Sequence, residues 1–241
     1  MTTRQGGCSL PPWDSFNLGD HVSDDPAHVR ANRALLATTL GIRPVFLQQV
    51  HGWRVLELKP GVPDGEQADA CFTFGHSLAC TIMVADCLPV LLWDTRGRWV
   101  AAAHAGWRGL AGLQGRGVLE ALWAALQGRG ADPAHTAAWL GPCIGPEAFE
   151  VGPEVREAFA DLADGPGQAF QPGQGDRWLA DLPALARARL ARLGLTCISG
   201  NDGSSEWCTV SRPALFFSHR RDARTLGSTG RMAACILREP L

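Results

Sequence analysis

The chain lacks most of the features that assign a protein at sight. No run approaches the roughly 18 consecutive apolar residues that a membrane-spanning helix needs. The opening MTTRQGGCSLPPWDS has no apolar segment of about 7–15 residues, so no secretory leader is visible and a cytoplasmic protein is expected. An excess of one charge is also missing. The 22 basic and 24 acidic residues leave a net charge of -2, which argues against a global pull toward nucleic acid or an anionic membrane. There is no G-x-x-x-x-G-K-[ST] loop, and no G-x-G-x-x-G follows a strand-like run, so the common phosphate and dinucleotide cradles are excluded. The eight cysteines, at 8, 71, 80, 87, 143, 197, 208 and 235, form no C-x-x-C pair. In a chain without a leader they are expected to be reduced thiols, most of them in the core. The seven histidines include no H-x-H pair, which would starve a multi-copper cluster of ligands.

What is present is a folded chain of 241 residues, 46% hydrophobic and 19% charged. No repeat and no shift of composition divides it, so one domain over 1–241 is expected. DPAHVRANRALLATTLG (25–41) reads as an amphipathic helix, and PVFLQQVHG as a strand ending in His51 and Gly52. Strands are expected at 78–86, 88–94 and 99–105, then a glycine-weakened helix from Trp107 to Gly130 and a strand at TAAWLGP (136–142). EVREAFADLA and DLPALARARLARLG read as helices, and LTCISG, ALFFSHR and MAACILR as strands. Residues 164–177, rich in Gly and Pro, read as a surface loop. Adjacent strands over 78–105 without intervening helices point to a layered α+β fold rather than regular βαβ alternation.

Three residues with chemistry to offer fall at strand ends: His51, Cys87 and His104. Two imidazoles and a thiolate form a three-ligand set with an open position, the pattern of a catalytic zinc. The same residues suit a Cys87 nucleophile with His104 as its base. Copper also accepts two His and a Cys, but Met83, the nearest methionine, lies four strand residues or ~13 Å from Cys87. Each of the three residues, taken alone, also fits a buried polar group satisfied by a neighbour. Asp69 and Asp86 stand nearby to orient an imidazole or handle a proton, although in a regular strand Asp86 points away from Cys87. Arg108 follows one strand end, and Arg220 and Arg221 follow ALFF, where a guanidinium fork suits phosphate or carboxylate; a solvated charged turn is the plainer alternative.

The order of the segments narrows these alternatives. NLGDHVSDDP (17–26), QQVHG (48–52), VADCLPVLLWD (84–94), AAAHAGWRGL (101–110), LGPCIGPEAFEVG (140–152) and FFSHRRDARTLGSTGRMA (216–233) occur in series. The series resembles the YfiH/YlmD-like family, also called the multicopper polyphenol oxidase (laccase) domain family, and it covers nearly the whole chain. The resemblance implies an αββα sandwich similar to cytotoxic-necrotizing-factor-type cysteine deamidases, with metal ligands at His51, Cys87 and His104. It implies a small-molecule enzyme of purine nucleosides and phosphate. Such an enzyme phosphorolyses adenosine, inosine, guanosine or methylthioadenosine and deaminates adenosine with zinc. A copper phenol oxidase and an amidase of a peptidoglycan precursor are the other activities implied. On that reading Arg108, Arg220 or Arg221 holds phosphate, Trp107 or Phe217 stacks on the base, and Asp86 carries a proton.

Overall fold

The computed structural model describes residues 1–162 and 169–239. Its first helix, α1 (Pro26–Leu40), starts and stops on local chemistry. The Asp25 carboxylate accepts the Ala27 N–H, Pro26 occupies the first turn, and Gly41 closes the helix in the left-handed conformation. Six strands follow: β1 (Arg43–Phe46), β2 (Val55–Glu57), β3 (Ala70–Thr73), β4 (Leu78–Val84), β5 (Leu88–Asp94) and β6 (Val100–Ala105). Every residue of β4 and β6 is buried. Their continuous apolar runs therefore suit strands covered on both faces rather than one.

The second half interleaves α2 (Trp107–Ala111), α3 (Val118–Gln127), β7 (Thr136–Leu140), β8 (Glu150–Val151), α4 (Pro153–Glu157), β9 (Phe170–Pro172), β10 (Trp178–Ala180), α5 (Leu182–Arg192), β11 (Cys197–Gly200), α6 (His219–Leu226) and β12 (Met232–Ile236). The strands form a three-stranded sheet β1-β4-β12, a six-stranded sheet β11-β7-β5-β6-β3-β2 and a small sheet β8-β10-β9. Val45, Cys80, Ile82 and Met232 of the first sheet meet Cys71, Leu91 and Ala102 of the second in one apolar layer. Leu18, Leu36 and Phe46 seal the outer face of the first sheet beneath α1. Leu110, Leu122, Trp123 and Leu185 pack α2, α3 and α5 on the outer face of the second. Helices thus flank a stacked pair of sheets in a mixed α+β fold. The chain crosses from the first sheet to the second between β1 and β2, and again between β4 and β5.

Four expectations are corrected. The strand expected to end in His51 and Gly52 stops at Phe46, and His51 lies in the connection to β2. The helix expected over 107–130 is two helices. Gly112 (φ 64°, ψ −151°) takes a conformation closed to other residues, and Leu113 and Arg116 pair in a tight turn. ALFFSHR forms no strand. Phe216 and Phe217 enter the core from a turn, and the Ser218 hydroxyl accepts the Arg221 N–H to start α6. Of the expected loop 164–177, residues 164–168 lie outside the described residues, and 170–172 form β9. Among the described residues no helix is long and apolar enough to cross a membrane.

Candidate active site

Strand register builds the centre. In the β5–β6 ladder Leu88 faces Ala105 and Pro89 faces His104, so Cys87 falls opposite Gly106, on the same face as His104. In the β3–β6 ladder Ala70 faces Ala103, so Asp69 falls opposite His104, whose backbone N–H donates to the Asp69 carbonyl at 2.7 Å. His51 reaches the same place from the β1–β2 crossing. Its φ of 60° turns the N–H groups of Val50, His51 and Gly52 into one concavity, and the Asp69 carboxylate fills it at 3.2, 2.9 and 2.8 Å. The same carboxylate accepts Nδ1–H of His104 at 2.9 Å, which orients the ring so that Nε2 is turned to Cys87.

Side-chain ligand atoms of His51, Cys87 and His104 consequently lie within 4.8 Å of one another. Cys87 Sγ is 3.7 Å from His51 Nε2, and the two imidazoles meet edge to face at 4.8 Å. The room for this comes from Gly106, where a Cβ would stand 2.9 Å from Cys87 Sγ and 3.1 Å from His51 Cδ2. Its backbone is ordinary (φ −63°, ψ 155°), so space rather than torsion demands glycine there. Burial opposes ionisation of Cys87, but the facing His104 and the hydrogen bonds of both histidines bring the thiol down to about 6. Burial likewise opposes charge on His104, and Cys87 with Asp69 raises it to about 9. Burial would lift Asp69, but His104 and the amides of Gly52 and Val50 hold it below the usual carboxylate range. The facing imidazole thus favours the thiolate form of Cys87, and the Asp69 carboxylate anchors His104 from behind. A soft thiolate with two imidazoles, one of them fixed by Asp69, fits a metal with bonds of about 2.0–2.3 Å.

These residues open onto a cleft of about 750 Å³ that is also lined by Arg33, Arg231, Arg220, Trp107 and Phe149. Arg231 donates through Nη1 to the carbonyls of Thr229 and Gly230, and its Nε and Nη2 make no hydrogen bond among the described residues. Burial lowers its pKa, and the negative charges of Cys87 and Asp86 oppose that shift. Arg33 lies over Phe46 at 4.1 Å and pairs with Asp20 at 3.2 Å. Arg220 lies over Phe149 at 5.5 Å and donates to the Glu150 carbonyl.

The other expected residues divide. Trp107 lines the cleft, and Arg108 stacks on it at 4.5 Å without itself lining the cleft. Arg221 is turned inward. It donates to the carbonyls of Thr209, Val210 and Phe216 and pairs with Asp222, so its fork is used up within the fold. Phe217 is fully buried, which removes it as a stacking platform. Asp86 lines the cleft but is not on a regular strand. At φ 88° it turns the chain between the sheets, and its carboxylate accepts from Thr209, Ser218 and Arg220. Met83 packs toward α1, where its sulfur meets Arg33 Nη2 at 3.9 Å. Arg231 and Phe149 were overlooked within the motif segments that contain them. Arg33 gives no sequence signal beyond being one basic residue of an amphipathic helix.

A family model for multi-copper polyphenol oxidoreductase laccase matches residues 1–239. The purine nucleoside phosphorylase YfiH of Escherichia coli K12 is 47% identical over 237 residues, 98% of this chain and 91% of its own. A purine nucleoside phosphorylase of Pseudomonas aeruginosa is 47% identical with the same coverage. The crystal structure of a Neisseria meningitidis protein superposes with a TM-score of 0.88 at 40% identity, covering 100% of this chain and 93% of that one. YlmD from Geobacillus stearothermophilus gives 0.88 at 30% identity, covering 99% and 90%.

Proposed function

The chain belongs to the multi-copper polyphenol oxidoreductase laccase family, and from that membership we propose a metal-dependent purine nucleoside phosphorylase that also deaminates adenosine. One observation carries the reading: the His51–Cys87–His104 set and the open donors of Arg231 share one cleft with the face of Trp107. Phosphorolysis replaces the N9–C1′ bond of a nucleoside by a bond from a phosphate oxygen to C1′, giving ribose-1-phosphate and a free base. Arg231 and Arg220 hold the phosphate dianion through their guanidinium N–H groups. Trp107 stacks on the base, with Arg108 covering its other face. His51, Cys87 and His104 hold the metal, and Asp69 keeps the His104 Nδ1 proton in place. Zinc bound there supplies Lewis acidity toward a polar atom of the substrate.

Incubation of the natively purified protein with adenosine and phosphate, paired with elemental analysis, tests this reading. Adenine, ribose-1-phosphate and inosine are expected, together with about one zinc per chain. Stoichiometric metal without any of these products overturns it. The alignment of Cys87, His104 and Asp69 also favours a second reading, a cysteine hydrolase or amidase. Under that reading Cys87→Ala abolishes turnover and a chelator leaves it untouched. A copper phenol oxidase requires copper in the purified protein and copper-dependent oxygen uptake, and zinc alone counts against it.

A further inference from the structure

Asp86 neighbours Cys87 and lines the cleft, yet its carboxylate bonds to groups of other segments. Oδ1 accepts the Thr209 hydroxyl at 2.5 Å. Oδ2 accepts the Ser218 hydroxyl at 3.1 Å and the Arg220 backbone N–H at 2.6 Å. Its carbonyl accepts the Ile144 N–H at 2.9 Å, and Ile144 also lines the cleft. One residue thereby joins the β4–β5 turn to the 143–145 segment, to Thr209 and to the first turn of α6. A left-handed φ of 88° is costly for a residue with a side chain, and these four bonds hold it there.

We propose that Asp86 is a positioning residue that locks the first turn of α6 onto the Cys87 turn and so sets Arg220 over the cleft. Three donors occupy three of the roughly four lone-pair sites of the carboxylate, so its hydrogen bonding is spent within the fold, on Thr209, Ser218 and Arg220. Its negative end also satisfies an otherwise orphaned N–H in the first turn of α6. The consequence for the reaction, placement of Arg220 against phosphate, rests on the proposed phosphorolysis. The structural lock does not.

Asp86→Asn and Asp86→Ala separate placement from proton transfer. The Asn carbonyl still accepts from Arg220, and the rotatable hydroxyls of Thr209 and Ser218 can turn to meet the amide. The Ala variant keeps none of these bonds. Amide hydrogen exchange of α6 reads the lock without any assay of turnover. In Ala, the Arg220 amide is expected to exchange about tenfold faster or more and the phosphate KM to rise about tenfold, with Asn within about threefold of the parent in both. If Asn loses kcat as completely as Ala while KM and α6 protection stay at parent values, Asp86 carries a proton and the proposal fails. Native α6 protection in the Ala variant overturns it too. An inactive parent with Ala-specific loss of protection would instead sink the phosphorolysis and keep the lock.

Discussion

Two buried aspartates organise opposite sides of the site, and they do so differently. Asp69 takes three successive backbone amides and an imidazole, so it touches two of the three central residues directly. Asp86 takes two hydroxyls and one helix amide and touches none of the three side chains, although it is bonded in sequence to Cys87. The Asp69 side is backbone locked to a strand, whereas the Asp86 side is a helix end held by rotatable groups. Loss of Asp69 therefore strands donors that cannot turn away. Loss of Asp86 frees two hydroxyls that can and strands only one helix amide.

The largest expected effect follows from that contrast. Asp69→Ala leaves the buried His104 Nδ1–H and three part-buried amides without their partner, and a stability loss of about 3–5 kcal/mol is expected in urea unfolding. Metal content should fall with it. An Asp69→Ala protein that unfolds at the parent urea concentration would erase the distinction between the two sides. Gly106→Ala comes next. Its Cβ intrudes on Cys87 and His51 rather than on either aspartate, and about 1–3 kcal/mol of overpacking is expected. Turnover should drop about a hundredfold while far-ultraviolet circular dichroism stays native; parent-like turnover would show that the triangle of ligands tolerates a methyl group. Metal removal is the third test. Dialysis against a chelator should lower Tm by several degrees through lost mass action and speed alkylation of Cys87 by iodoacetamide. An unchanged Tm would mean that no ion is held by the set.

The two neighbouring arginines sharpen the Asp86 side. Arg220→Gln should raise the phosphate KM about tenfold with stability within about 0.5 kcal/mol of the parent. Arg221→Gln should do the reverse, because it removes the bracket over the Thr209, Val210 and Phe216 carbonyls. A shared phenotype would dissolve the assignment. The smallest effect is in acid. Burial opposes the charge of Asp222, but Arg221, the Ser218 amide and Thr229 outweigh it and hold its pKa below the usual carboxylate range. A folded pKa lowered in this way adds stability that is present above an unfolded value of about 3.9 and is lost as pH falls through the folded value. Asp222→Asn should therefore flatten the acid limb of a stability–pH curve. A limb of unchanged slope would show that other groups govern it.

The legible parts of the fold and site were those written locally. The continuous apolar runs of β4, β5 and β6 read as buried strands with Cys87 and His104 at their ends, and His51 stood out at the end of the run before them. Asp69 was legible as an orienting carboxylate, but its grip on the 50–52 amides was not, because that depends on a left-handed residue at His51. Strand alternation points Asp86 away from Cys87, but not to its actual partners Thr209, Ser218 and Arg220, since a turn between two sheets does not alternate. ALFFSHR failed for a related reason: Phe216 and Phe217, the two apolar residues just before a capping serine, bury without belonging to a strand. Arg231 and Arg33 come from opposite ends of the chain and reach one cleft because α1 is laid on the three-stranded sheet that β12 completes.

The two crossings of the chain from the three-stranded sheet to the six-stranded one carry a mechanical consequence. His51 rides on one crossing, Cys87 on the other, and His104 belongs to the six-stranded sheet alone. Whatever is gripped by all three is a rivet between layers that are otherwise joined by apolar packing. A slip of one layer by a single residue, about 3.3 Å, would pull the grip apart long before either sheet frayed. Letting go of the occupant and letting the layers slide are then one and the same motion.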